Sequence, residues 1–393
     1  MEFKSRDFLV LQNMLEDEFI LAMLNDDTTR LRQLMIERAE AFGLRGNLLR
    51  ECTLRLLTHE PNLVSITMER AHGKIGNSLR DFFILDIEKL MPLLAEKPLE
   101  LNYEPTIENK TAAQSELDSL LLRAKTSKQI AEALIEYYRR FGYGDIADFR
   151  AFKWTNGKLR GIEHFDNQSF DDLIGYRHQK EQLIENTEAF LDDRGANNVL
   201  LVGARGTGKS SSVKALVNRY FDRSLRLVQL TKPQLAELPT VMDTLRQFAS
   251  RKFIIFLDDL SFEESEDEYK YLKSAMEGGV ETRPENVLIY ATSNRRHLIR
   301  ESWRDRSDGQ EELYKQDSVN ETISLSDRFG LIIRYYAPSQ DEYLAIIRHM
   351  LDKNGVTLDA EQLRIEGLRW EMTHSGRNGR TAQQFVTHYL GRR

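Results

Sequence analysis

Gly203-Ala204-Arg205-Gly206-Thr207-Gly208-Lys209-Ser210 stands directly behind the apolar run Val199-Leu200-Leu201-Val202 and directly ahead of the helix-like Ser211-Ser212-Val213-Lys214-Ala215-Leu216-Val217. The spacing is GxxxxGK[ST], the pattern of a phosphate-binding loop. Glycines are needed because the backbone must wrap an anion with several N–H groups pointing inward, where a Cβ would clash or forbid positive φ. The helix that starts there adds the positive end of its dipole. In such a loop Lys209 reaches the β- and γ-phosphates, the Ser210 hydroxyl holds Mg²⁺, and the stretch from Gly203 through Ala204, Arg205, Gly206, Thr207 and Gly208 to Ser211 surrounds the nucleotide. Lys209 is expected on an exposed loop, answering phosphate charge and packing against nothing. A glycine-rich turn that binds nothing is the alternative, and the strand-before, helix-after context argues against it.

The chain has 393 residues, enough for two or three domains. Hydrophobic residues at 41%, charged residues at 30% and a net charge of -7 describe a soluble globular protein and do not mark the whole chain as a binder of nucleic acid or anionic membrane. A single cysteine, Cys52, excludes an internal disulfide framework and fits a reducing cytoplasm, and the 8 histidines lack the spacing of a zinc site. Glu2, Asp7, Glu16 and Asp17 near the start do not suit a signal peptide. No apolar run reaches the ~18–20 residues that span a bilayer, so a cytoplasmic protein without a membrane partner is expected.

Residues up to about Arg160 read as mainly helical. Phe8, Leu11, Leu15, Phe19 and Ala22 share helical spacing, and a clearer helix runs from Ser127 to Phe141 behind a Thr126…Gln129 capping box, with Gly142 after it. Asn156-Gly157 between Phe152–Thr155 and Lys158–Arg160 predicts a two-residue hairpin, taken to close this first domain. From Phe170 the character changes. Ile174-Gly175-Tyr176, just ahead of the phosphate loop, is suited to wrapping an adenine ring, though a plain helix lead-in would read the same.

Beyond the loop, strand-like runs at Leu225–Leu230, Phe253–Leu257, Val287–Ala291 and Leu331–Tyr336 alternate with helical stretches. With Val199–Val202 they predict an α/β fold whose parallel sheet is covered on both faces, with ligands at the carboxyl ends of its strands. Asp258-Asp259 closes the Phe253–Leu257 run. Asp258 is assigned to Mg²⁺ through its water shell, and Asp259 to orienting or deprotonating the attacking water. Asn294, in Ala291-Thr292-Ser293-Asn294, stands at the same sheet edge, where an amide can meet the γ-phosphate or the water, or simply form a turn. The acids from Glu263 to Glu268 read as a Ser261…Glu264 capping box with dipole-complementing charges. Arg295, Arg296, His297, Arg300, Arg304 and Arg306 read as a solvated face rather than a nucleic-acid edge. Residues 302–322 read as a polar surface insertion. Ser339…Glu342 opens a helix to Leu351, and Ala382, Phe385, Val386, Tyr389 and Leu390 form another behind Gly376–Arg380.

From about Phe170 to the C-terminus the motifs, in this order, resemble the AAA+ ATPases: the phosphate loop, Asp258-Asp259, Asn294, Asp327-Arg328-Phe329-Gly330 and Gly379-Arg380. Leu257–Glu263, Tyr290–Ile299 and Leu325–Leu331 look like the bacterial branch known as domain of unknown function 815, which the first domain resembles too. The resemblance implies an AAA+ P-loop NTPase with a five-stranded parallel sheet (163–337), a C-terminal helical lid (338–393) and a mainly helical N-terminal domain (1–162). It implies that Asn294 is sensor 1, that Arg328 is the arginine finger, and that Arg380 is the sensor 2 arginine, with Arg377 its rival. Asp259 departs from the family, which mostly has Glu there; an Asp is one methylene shorter and turnover is expected to be slower. The implied function is ATP hydrolysis with Mg²⁺ in a homo-oligomeric ring or partial ring, coupled to conformational change of a protein or nucleic-acid client. The alternative is an ATP-binding switch or scaffold with little turnover. A GTPase reading lacks an NKxD-like signal, and a kinase reading lacks an acceptor-site motif.

Overall fold

The computed structural model describes residues 7–94, 102–107, 110–263, 268–277, 283–294, 299–300 and 328–392, and for 263, 277, 299 and 300 the backbone alone. Glu264, Arg295, Arg296, His297, Arg304, Arg306, the 302–322 stretch and Asp327 therefore lie outside the described residues, as does the Arg300 side chain. The chain forms two compact units: Met1–Phe149 with Gln247–Arg251, and Arg150–Arg246 with Lys252–Arg393. Among the described residues no helix is long and apolar enough to cross a membrane.

The first unit is helical: α1 (Glu18–Leu24), α2 (Thr28–Phe42), α3 (Leu48–His59), α4 (Leu63–Arg70), α5 (Asn77–Leu94), α6 (Ala112–Leu121), α7 (Ser127–Phe141) and the single turn α8 (Asp145–Asp148), with a small antiparallel pair of β1 (Gly46–Asn47) and β2 (Asn102–Tyr103). Helix α7 has the expected bounds, because Thr126 and Gln129 cap it reciprocally and Ile130, Leu134, Tyr137, Tyr138 and Phe141 are buried along one face. The stripe from Phe8 to Ala22 is not one helix. A short 3-10 turn at Gln12–Glu16 ends at Asp17, whose extended backbone and side chain, accepting from Phe19 N at 2.9 Å, start α1 afresh.

Two buried charged groups hold this unit together. Asp86 on α5 is fully buried, and its carboxylate accepts from the N–H groups of Leu9 (2.8 Å), Val10 (2.7 Å) and Leu11 (3.1 Å) and from the Lys89 ammonium (3.2 Å). Arg251, also fully buried, pairs with Glu69 at 3.2 Å and donates to the carbonyls of Tyr138 (3.0 Å), Arg139 (2.6 Å) and Arg140, at the C-terminal end of α7 where a cation is favoured.

The second unit is built on a seven-stranded sheet of order β11-β5-β9-β7-β6-β3-β4. Its strands are β3 (Ala151–Thr155), β4 (Lys158–Gly161), β5 (Val199–Gly203), β6 (Leu225–Leu230), β7 (Lys252–Leu257), β9 (Val287–Ser293) and β11 (Leu331–Tyr335). Two further strands, β8 (Phe262–Glu263) and β10 (Ile299–Arg300), form a separate short parallel pair. The five expected strands form and pair in parallel; β5, β7 and β9 at the centre are almost wholly buried, as a sheet covered on both faces requires, whereas Arg226 and Gln229 interrupt the apolar run of β6 and the exposed Arg334 that of the edge strand β11. The predicted hairpin also forms, with Asn156 and Gly157 both at positive φ, but it does not close the helical unit: β3 pairs in parallel with β6 and carries β4 as an antiparallel edge.

Helices α9 (Arg177–Leu191) and α10 (Lys209–Tyr220) cover one face, through Leu183, Phe190, Val213, Leu216 and Val217 against Leu201, Ile254, Phe256 and Tyr335. Helix α11 (Leu238–Arg246) lies against β9 and α12 (Glu268–Glu277) against α11. After β11 come three lid helices, α13 (Gln340–Lys353), α14 (Ala360–Met372) and α15 (Gly379–Leu390), with their own core around Tyr343, Ile347, Leu363 and Phe385. The Ser339…Glu342 capping box opens α13 as expected.

Asp86→Ala would strand the N–H groups of Leu9, Val10 and Leu11, the last two of them buried, and losing one partner of a buried charged cluster costs about 3–5 kcal/mol. Hydrogen exchange on the full chain should show the amides of Leu9, Val10 and Leu11 losing protection while those of α10 keep theirs.

Candidate nucleotide-binding site

Strands β5, β9 and β7 are neighbours and parallel, so their carboxyl ends bring the phosphate loop, Asn294 and Asp258-Asp259 to one edge of the sheet. The loop leaves β5 at Gly203, which has φ +153 and lies so close to β11 that a Cβ would sit 2.0 Å from the Tyr335 carbonyl oxygen. Only glycine fits there. Gly208, in the left-handed region, precedes α10 without any side-chain cap, so the first-turn N–H groups of that helix face outward for an anion.

Lys209 differs from its expectation. Its side chain is buried, not exposed, and the ammonium donates to the carbonyls of Gly203 and Ala204 (both 2.8 Å) and to Asn294 Oδ1 (3.0 Å). Burial lowers its pKa, and the Asp259 and Asp258 carboxylates act in the opposite direction. Thr207 Oγ1 closes the loop from within by donating to Ala204 O at 2.9 Å.

Ser210 Oγ donates to Asp258 Oδ1 at 2.6 Å, and Thr292 Oγ1 donates to the same oxygen at 2.6 Å. Thr292 also accepts from Asp259 N at 2.9 Å. Asp259 itself has left-handed backbone, φ +53, a conformation non-glycine residues adopt sparingly and one that gathers at functional sites. One of its carboxylate oxygens accepts from Asn294 Nδ2, and the other lies 3.6 Å from Arg205 Nη2. Thr292, the last but one residue of β9, is not singled out by the sequence, although it stands two positions before Asn294, which follows the strand end.

An open cleft of about 760 Å³ runs past these groups, lined by Arg205 to Ser211, Asp258, Asp259, Thr292 and Asn294. Leu173, Ile174 and Tyr176 form one wall, and Ile346, Met350, Gly379, Arg380, Gln383 and Gln384 of the lid the other. Gly203, Ala204 and Gly175 are not in the lining; the first two give carbonyls to Lys209, and Gly175, at φ +82, turns the chain between Ile174 and Tyr176. Of the two sensor 2 candidates Arg380 lines the cleft, whereas Arg377 pairs with Glu371 at 3.4 Å. Arg328 lies ahead of β11, at the opposite end of the parallel strands from the phosphate loop, and not in the lining. The lid touches the loop through the main chain: Gly379 N donates to Gly206 O at 2.8 Å.

The oxygens suit a hard divalent cation. Ser210 Oγ and Asp258 Oδ1 are adjacent, while among the described residues no cluster of three or more His, Cys, Asp or Glu could hold a metal alone. Mg²⁺ bound here would draw its remaining ligands from water and nucleotide oxygens, its usual habit.

A family model described as "Protein of unknown function (DUF815)" matches residues 147–393, more than half of the chain. The match begins after the helical stretch, which the sequence had been expected to share with that family. No curated protein matches. Similar solved structures include the Thermotoga maritima RuvB Holliday junction branch migration motor, 17% identical over 56% of this chain and 63% of that one, with a TM-score of 0.39. Another is C. elegans PCH-2, 16% identical over 57% of this chain and 65% of that one, with a TM-score of 0.38. The chain thus spans less than two thirds of either.

Thr292→Val keeps the shape of a buried side chain but leaves Asp259 N–H unpartnered and deprives Asp258 of a donor. A stability loss of about 1–3 kcal/mol is expected, read as a lowered denaturation midpoint for the transition that reports on the sheet.

Proposed function

The chain belongs to the DUF815 family, and we propose that it has the AAA+ P-loop fold, binds ATP with Mg²⁺ in the cleft and hydrolyses it, using the cycle to change the conformation of a protein or nucleic-acid client. The observation that carries this reading is the convergence of Lys209, Ser210, Asp258, Asp259 and Asn294 on one cleft. The main-chain N–H groups of the loop and the start of α10 bind the phosphates, with Lys209 answering the charge of the outer two. Ser210 and Asp258, adjacent at 2.6 Å, would hold Mg²⁺, which would supply positive charge to offset that of the phosphates. Asp259 orients the attacking water and accepts its proton, with Asn294 keeping that carboxylate in place. Ile174 and Tyr176 enclose the base, and Arg380 approaches the phosphates from the lid. Because Gly379 is bonded to Gly206, a change in the loop on phosphate binding is carried to the lid.

Arg328 lies too far along the sheet to serve its own cleft, which supports a role in a neighbouring subunit of a homo-oligomeric ring or partial ring. A second reading, an ATP-binding switch with slow turnover, is favoured by the hold that Asn294 and Arg205 have on the short Asp259 side chain.

Asp259→Asn keeps the shape and loses the base. It should retain Mg·ATP and turn it over at least about tenfold more slowly, a rise of about 1.4 kcal/mol in the barrier; normal steady-state phosphate release by this variant would remove Asp259 from the mechanism.

Arg328→Ala should bind ATP and hydrolyse it poorly, since arginine fingers contribute about a thousandfold or more. Lys209→Ala should fail to bind it and, given its buried bonds, should also melt earlier. Mixing these two inactive variants should restore part of the activity. Mixed oligomers that stay inactive would rule out an arginine acting between subunits.

A further inference from the structure

Arg205 occupies a position in the phosphate loop for which the GxxxxGK[ST] pattern demands no particular side chain. Its guanidinium nevertheless stands 3.6 Å from Asp259, with side-chain exposures of 73% and 57%. Asp259 is tied at its other oxygen to Asn294 Nδ2, and Asn294 Oδ1 accepts from the Lys209 ammonium at 3.0 Å. The four side chains form one continuous string, Lys209–Asn294–Asp259–Arg205, with the two cations of the loop at its ends. The Asp259 main chain is fixed by its bond to Thr292 Oγ1, so what is adjustable in this string is the side chain of Asp259 and the long, solvated arm of Arg205.

An ion pair this exposed contributes little in water and gives way to a stronger partner. A terminal phosphate is such a partner: it carries more charge than one carboxylate and offers paired oxygens that match the guanidinium fork. Lys209, which on the reading above answers the outer two phosphates, lines the same cleft as Arg205, so a terminal phosphate held there would come within reach of the long Arg205 arm. A diphosphate lacks that third phosphate.

We propose that Arg205 is a positioning residue that distinguishes ATP from ADP, pairing with Asp259 when the cleft is empty or holds ADP and moving to the terminal phosphate when ATP is bound. The transfer frees one Asp259 oxygen for the attacking water only when there is a phosphate to attack. This inference rests on the ATP-hydrolysing reading given above and adds to it the residue that senses the third phosphate.

The test is calorimetric titration of the full chain with Mg·ADP and with the non-hydrolysable Mg·adenylyl imidodiphosphate, for the wild type, Arg205→Ala and Arg205→Lys. Arg205→Ala should weaken the triphosphate analogue about tenfold, about 1.4 kcal/mol, and leave ADP within about twofold; Arg205→Lys, which keeps the charge without the fork, should fall between. An unchanged ratio of the two affinities in Arg205→Ala overturns the proposal, and so does an equal loss for both nucleotides, which marks general damage to the loop. Wild-type protein that binds neither nucleotide overturns the ATP-binding reading itself and this inference with it.

Discussion

A buried ammonium sets the terms for the second unit. Lys209 cannot be taken out of water unless its charge is surrounded by oxygens, and those oxygens are the carbonyls of Gly203 and Ala204 and the amide of Asn294. Gly203 and Ala204 belong to the exit of β5, Asn294 to the exit of β9, so one side chain fixes the shape of the loop and ties two adjacent strands at their carboxyl ends. The loop is thereby shaped before any anion arrives, and binding needs less ordering than a floppy glycine-rich turn would. The same group that would answer the phosphate charge acts as a fastener in its absence.

Much of this was legible along the chain, and the legible parts share a cause. The five parallel strands are short and mostly apolar because both sheet faces are covered, β5, β7 and β9 at the centre most nearly so, and the phosphate loop is spelled by glycines whose backbone demands are local. Thr126 and Gln129, or Ser339 and Glu342, announce helix starts because capping is settled within four residues. What stayed hidden depends on partners distant in sequence. Nothing in Phe152–Thr155 says that it will pair with β6, more than 70 residues on. The burial of Lys209 depends on Asn294, 85 positions later. The spacing of Phe8 to Ala22 is helical, yet periodicity is silent about Asp17 turning its carboxylate onto Phe19 N and splitting the segment. In the candidate site the charged and amide residues stood out by type, whereas Thr292 did not, since a threonine in a strand is ordinary until its two hydrogen-bond partners are known.

Asp86 and Arg251, two of the buried charges of the helical unit, follow the same logic by different means. Asp86 gathers the N–H groups of Leu9, Val10 and Leu11 as a helix N-terminus would gather an anion, with the roles of main chain and side chain reversed. Arg251 spends its donors on the carbonyls that end α7 and on Glu69. In both, a single side chain bonds several main-chain groups at once, although the Tyr138 carbonyl also accepts from Gly142 N in the last turn of α7. Such groups are specific rather than merely adhesive, because a hydrophobic replacement would take those side-chain partners away from the main chain.

The hairpin of β3 and β4 also guards the sheet. Without it the outermost strand would be β6, Leu225–Leu230, with Leu225, Leu227, Val228 and Leu230 buried and a row of main-chain donors and acceptors open to any passing chain. With it the boundary becomes β4, only four residues long, with Lys158 and Arg160 at its exposed positions, a charged and short edge that resists pairing with a second sheet. A fragment cut to begin at residue 163, where the amino-acid pattern suggests a natural break, would keep every residue of the cleft and yet lose this guard. Its failing would be insolubility rather than lost chemistry, and the remedy is to begin the fragment before Ala151.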